Sequence, residues 1–230
     1  MTADSGIEPA WERRREIGFF KSIFLTIRGV MFCPSATFSR FKWEGGYWNP
    51  ILLCLLVGGP SGLAVLFFTG FPLIGGVTVN FVTLAGLFLG LLLGLGAMVV
   101  SLFLFSGSVL GTLYALGGGS PSYQGIFRAI AYTSVLIELL NTILGFSICA
   151  IFPKPLWDHL QSAVLILLMI WQGYCIVAGL CKTTSVPLWK PVTAVVLAML
   201  LAYGSVEMTS INNPIGQKIW NGILHAIRYF

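Results

Sequence analysis

The fold class this sequence predicts is all-α: a polytopic membrane helical bundle with five transmembrane helices and flanking amphipathic interfacial helices. Three observations predict it. The 230 residues are 57% apolar and only 9% charged, with a mean hydropathy of +0.89. A soluble domain runs nearer 45–50% apolar and about 25% charged, so too few charged side chains exist here to keep a surface wet. Between Glu44 and Arg128 there is no Asp, Glu, Lys or Arg. A helix crosses the hydrocarbon in about 20 residues, so that interval alone holds at least two crossings. Finally, Arg13, Arg14, Arg15, Lys21, Arg28, Arg40 and Lys42 all precede the first apolar run, where basic residues orient insertion and attract anionic lipid heads.

The elements follow in order. Residues 1–47 read as a cytoplasmic segment. Asp4, Glu8, Glu12, the Arg triplet and Glu16 leave no apolar core for a cleavable signal peptide, so the first crossing is expected to act as the insertion signal. Within the segment an amphipathic helix is expected at about 18–33. Phe19, Phe20, Ile23, Phe24, Ile27, Val30 and Met31 recur at helical spacing against Lys21, Ser22 and Arg28, and Pro34 ends the run. Such a helix lies in the membrane interface; the alternative is packing against the bundle.

The transmembrane domain spans 48–206. Its first crossing, 48–69, carries Gly58-Gly59-Pro60 midway, and Pro60 removes a backbone donor and predicts a kink. A Gly/Pro-rich stretch from Gly70 to Gly76 follows. The next run, 81–116, is long for one crossing and tight for two. A hairpin would turn near Gly94 and Gly96, where no polar side chain could satisfy the freed backbone. One long tilted helix of about 54 Å is therefore expected. The third crossing is 129–152, the fourth 160–180 and the fifth 191–206, with Lys190 and Glu207 as charged limits of the last. The fifth is short, so Lys190 is expected to snorkel. Trp43, Trp48, Trp157, Trp189 and Tyr203 fall near the ends, as interfacial aromatics do. The tail, 207–230, is again amphipathic, with Ile219, Ile223 and Ile227 against Lys218, His225 and Arg228.

With a cytoplasmic N-terminus, Arg128, Lys182 and Lys190 join the N-terminal basic residues inside, and Lys154, Lys218 and Arg228 lie outside with the C-terminus. That obeys the positive-inside rule. Six crossings obey it equally well, so charge leaves the two open, and the missing turn chemistry favours five.

Candidate chemistry is sparse. Cys33, Cys54, Cys149, Cys175 and Cys181 include no CxxC pair, so neither a metal site nor a disulfide framework is indicated. Intramembrane proteolysis lacks its parts: the histidines are His159 and His225, the aspartates Asp4 and Asp158, and HExxH is absent. No catalytic residue, cofactor, metal or nucleic-acid partner is indicated. The sharpest feature is Glu138, in mid-crossing, where an ionised side chain costs several kcal/mol by rough scale. Asn141 shares its helical face, and Tyr132, Gln172 and Tyr174 are candidate partners in an intramembrane polar site. The functional reading is an ion or proton relay, as in a small transporter or channel subunit; the alternative is a polar clamp between helices. Gly86, Gly90 and Gly94 repeat at GxxxG spacing, a helix-packing face within the chain or between copies in a homo-oligomer. Gly117-Gly118-Gly119 lacks the lysine of a phosphate loop.

Three signatures add a resemblance. A basic amphipathic helix leads into Cys33-Pro34-Ser35-Ala36-Thr37-Phe38. Then come Leu116-Gly117-Gly118-Gly119-Ser120-Pro121-Ser122-Tyr123 and Arg128-Ala129-Ile130-Ala131-Tyr132-Thr133. Together with the five-crossing layout, over roughly Phe19 to Leu200, this resembles the Yip family of Ypt/Rab-interacting membrane proteins, in particular its bacterial members. The Asp-Leu-Tyr-Gly-Pro segment of eukaryotic members is absent, so Rab binding is not carried over. The resemblance implies a non-enzymatic, multi-pass protein organising lipids or partner proteins. It also implies the bacterial inner membrane, with an unidentified protein partner.

Overall fold

The structure is a computed structural model and describes residues 8–41, 45–60, 81–118, 122–151, 154–183 and 186–209. Within these, the regular elements are helices: α1 (Arg14–Ile17), α2 (Phe19–Phe32), α3 (Pro34–Phe38), α4 (Trp48–Pro60), α5 (Phe81–Ala115), α6 (Tyr123–Ile151), α7 (Lys154–Thr183) and α8 (Trp189–Thr209). The second half of the first expected crossing, the Gly/Pro-rich stretch after it and the amphipathic tail lie outside the described residues.

Three helical segments are long and apolar enough to cross a membrane: Phe88–Ala115, Tyr123–Leu144 and Ala163–Lys182. Trp48–Pro60 and Trp189–Ala202 are shorter apolar helices. Helix α5 runs without a break through Gly94 and Gly96, at 35 residues about 52 Å long. Its end is set by glycine. Gly117, at φ 66°, donates its N–H to the Tyr114 carbonyl, and Gly118 donates to the Leu113 carbonyl. That double bond pattern is a Schellman cap, which needs a left-handed residue. The glycine run therefore serves helix termination, and Lys190 Nζ reaches the freed Gly117 carbonyl at 2.7 Å.

The helices alternate in direction. The start of α6 lies beside the start of α4 and the end of α7, since Arg128 reaches the Gly46 carbonyl and a Cβ on Gly179 would touch Ala129 at 3.0 Å. The Lys190 contact likewise joins the start of α8 to the end of α5. Helix α6 packs between α5 and α7, and α8 packs on α5 and α7. Helices α2 and α3 fold against α6 and α7 at the end where α6 begins. Hydroxyls inside the membrane-length helices bond to carbonyls one turn back, as in Ser106 to Leu102 and Thr133 to Ala129. This leaves those groups satisfied where no water can help.

Two expectations change in detail. The sequence puts Arg128 just ahead of the third crossing. It lies inside α6, fully buried, because the helix begins at Tyr123. The packed face of α2 is rotated from simple amphipathicity: Val30, Ile23, Ile27 and Met31 pack on the bundle as expected, but Ser22 joins them and the phenylalanines do not. Ser22, Thr26 and Val30 face the bundle, while Phe20, Phe24 and Phe32 are exposed beside Lys21 and Arg28. Small side chains let the helix lie close to its neighbours, and Thr26 has a bond to make there.

The helix breaks are local. Gly18, at φ 93°, precedes α2, a conformation glycine adopts without penalty. Cys33 leaves the helical region ahead of Pro34, which opens α3. At Gly58 an added Cβ would sit 2.9 Å from Met98 Sδ, so the glycine lets α4 approach α5 closely. Pro60 is the last described residue of α4, so the kink expected there lies only partly within the described residues. Gly86, Gly90 and Gly94 lie exposed on α5, with no atom within 4 Å of a Cβ built on any of them.

Candidate functional site

The densest polar constellation among the described residues joins the N-terminal segment to the bundle. A turn over Pro9–Arg13, closed by the Glu12 N–H on the Pro9 carbonyl at 2.8 Å, presents Trp11 and Glu12. Trp11 is fully buried. Its backbone N–H donates to Thr26 Oγ1 at 2.9 Å and its indole N–H to the Asn49 carbonyl at 2.7 Å. Arg14 lies over the indole at 4.6 Å and donates to Asn49 Oδ1 at 3.1 Å. One tryptophan thereby ties α2 to the start of α4.

Glu12 points into the bundle. Its Oε1 accepts from Arg128 Nη2 and from the Tyr132 hydroxyl, the latter at 2.7 Å. Arg128 and Tyr132 are four residues apart, so α6 places them on one face. The Arg128 side chain is 0% exposed and that of Glu12 5% exposed. Arg128 Nη1 also donates to the Gly46 carbonyl at 3.3 Å, while Nε is buried without an acceptor. Gly45 is the other constraint. A Cβ there would collide with Arg128 Nη1 and lie 2.9 Å from Cζ. Aromatic rings close the surroundings: Phe41 meets Tyr132 edge-on at 5.4 Å, and Tyr47 and Phe103 pack on Phe127.

Electrostatically the cluster is a buried ion pair with a phenol donor. Burial pushes the Glu12 carboxyl above its ordinary 4.5, and the Tyr132 hydroxyl and the Arg128 charge partly offset that. Desolvation of a buried pair rivals its Coulomb gain, whereas removal of one partner strands the other. The arrangement is suited to holding a segment in one place. Among the described residues no group of three metal-ligating side chains occurs.

The five residues of the sequence-derived polar site do not converge. Tyr132 belongs to the Glu12 cluster. Gln172 Nε2 donates to Ser134 Oγ at 3.2 Å, at a cavity of about 410 Å3 also lined by Ser101 and Met199. Tyr174 packs against Trp171, the rings tilted and 5.4 Å apart, and is exposed. Glu138 lies on the exposed side of α6, its backbone carbonyl taken by the Thr142 hydroxyl, and Asn141 is half-buried. Sequence reasoning missed Glu12 and counted Arg128 only among the basic residues on the cytoplasmic side. The usable signal was a lone arginine flanked by Ile126, Phe127, Ala129 and Ile130.

These features define a class: a helical integral membrane protein with an N-terminal segment locked to one end of its bundle. The chain matches the Yip1 domain over residues 28–207, and it belongs to that family. No curated protein and no solved structure matches it.

Proposed function

We propose that this chain is a non-catalytic organiser of the membrane interface, crossing the bilayer five times and holding lipids or partner proteins at the cytoplasmic face. The observation that carries the reading is the outward face of α2. Phe20 and Phe24 are 83% and 63% exposed, with Lys21 and Arg28 on the same side, while Thr26 and Val30 bind the helix to the bundle. Exposed rings among basic side chains suit the headgroup layer, where the rings reach acyl chains and the cations meet phosphates.

The orientation and the crossing number fit this reading. The basic N-terminal segment shares one end of the bundle with Arg128, Lys182 and Lys190, which supports a cytoplasmic N-terminus by the positive-inside rule. Helices α4 and α8 supply the first and last crossings in this scheme, and a bacterial inner membrane is the setting the family resemblance favours.

A photo-crosslinking amino acid tests the reading in native membranes. At position 24 it should yield adducts to lipid or to a second protein; at position 26 it should yield an intrachain adduct to the segment around Trp11. Absence of any adduct at 24, together with rapid amide exchange along α2, would refute the interfacial role.

A further inference from the structure

We infer that the outer groove between α7 and α8 is a binding site for one anionic phospholipid of the leaflet facing the N-terminal segment. The groove holds about 780 Å3, within the usual range of about 300–1,000 Å3 for small-molecule sites. Its floor is narrow because residue 173 is glycine. A Cβ there would lie 3.4 Å from Met199 Cε and 3.8 Å from Val195 Cγ1, so the two helices touch and a larger side chain would fill the channel.

The two ends of the groove differ in chemistry. At one end stand exposed Lys182 and the Ser35 hydroxyl, beside Leu188; at the other are Ile166 and Met199. Lys182 makes no ion pair among the described residues. An amphiphile with an acidic head and a long apolar tail complements that gradient.

Length selects the occupant. From Leu188 to Met199 the α8 wall rises about 16 Å, close to half of the roughly 30 Å hydrocarbon thickness. The groove therefore ends near the bilayer midplane. A helix of a second copy would need a full-thickness seat about 10 Å wide, whereas acyl chains need one leaflet. The site is distinct from the outward face of α2 and stands independently of the interfacial reading.

The test uses the full-length protein in mild detergent, followed by native mass spectrometry with added phosphatidylglycerol or phosphatidylcholine of matched chains. One phosphatidylglycerol per chain should be retained in preference to phosphatidylcholine. Lys182→Ala should cut that preference about fivefold, the fold-change expected of one basic residue at an anionic surface. Gly173→Leu should abolish stoichiometric retention of both lipids, while Gly173→Ala should keep it and so control for folding. Equal retention of the two lipids by the parent protein, undiminished binding in Gly173→Leu, or a crosslink from position 196 to a second copy would overturn the assignment.

Discussion

Arg128 is the residue on which the N-terminal segment depends. It is buried inside a membrane helix, and its only carboxylate partner among the described residues comes from Glu12, 116 positions earlier. Glu12→Ala would leave that guanidinium uncompensated, which costs about 3–5 kcal/mol. The thermal midpoint in detergent should fall clearly. Glu12→Ala combined with Arg128→Met should cost less than the sum of the single changes, because no stranded charge remains. Gly45→Ala should mimic the loss, since its methyl group occupies the space of the Arg128 guanidinium. Calorimetry of the parent, the two single variants, the double variant and Gly45→Ala would show whether Gly45 belongs with the pair.

The same carboxyl sets a pH dependence. Its value in the docked state is raised above 4.5 by burial. Docking therefore takes up protons in the window just above 4.5, and the contribution is fully present below that value. It is lost as pH rises through the raised value, then stays level. Protection of the α2 amides, followed by hydrogen exchange, should decline over that window and flatten toward neutrality. Glu12→Gln should remove the slope. A rise in protection over the same interval would contradict the assignment.

Among the elements, α2 shows how burial overrides amphipathic pattern. Its hydrophobic periodicity is real, yet the face chosen for packing carries Ser22 and Thr26. The reason lies in the neighbours: Thr26 accepts from the buried Trp11 N–H on that face. Thr26→Val makes the helix more apolar at constant shape, but it removes that acceptor. A buried donor left unpaired costs about 1–3 kcal/mol, so the thermal midpoint should drop. An unchanged midpoint would mean the Trp11 N–H finds another partner. At α5, the continuous helix was legible because an uncharged turn would have exposed backbone to lipid. The Schellman cap at Gly117 was not legible, because a glycine run alone does not reveal which member adopts positive φ.

For the whole molecule, the arrangement of ends is the testable property. Reporter fusions after residues 116 and 230 should report opposite sides of the membrane, with residue 116 on the side of the N-terminus. The reasoning is that Gly117 is held by Lys190 at the end where Arg128 meets Glu12. A C-terminal reporter on the same side as residue 116 would require an even number of crossings and a different tail.

Composition and the spacing of charges were enough by themselves to establish a lipid-dissolved helical protein and to suggest its family, because in hydrocarbon every backbone group must be satisfied within its own helix. Such local demands are written residue by residue along the chain. Only the tertiary structure decided that Glu12 pairs with Arg128, that α2 turns its small side chains inward, and that Glu138, Gln172 and Tyr132 part company. Those outcomes depend on which distant surfaces meet, and no periodicity within a single segment encodes that.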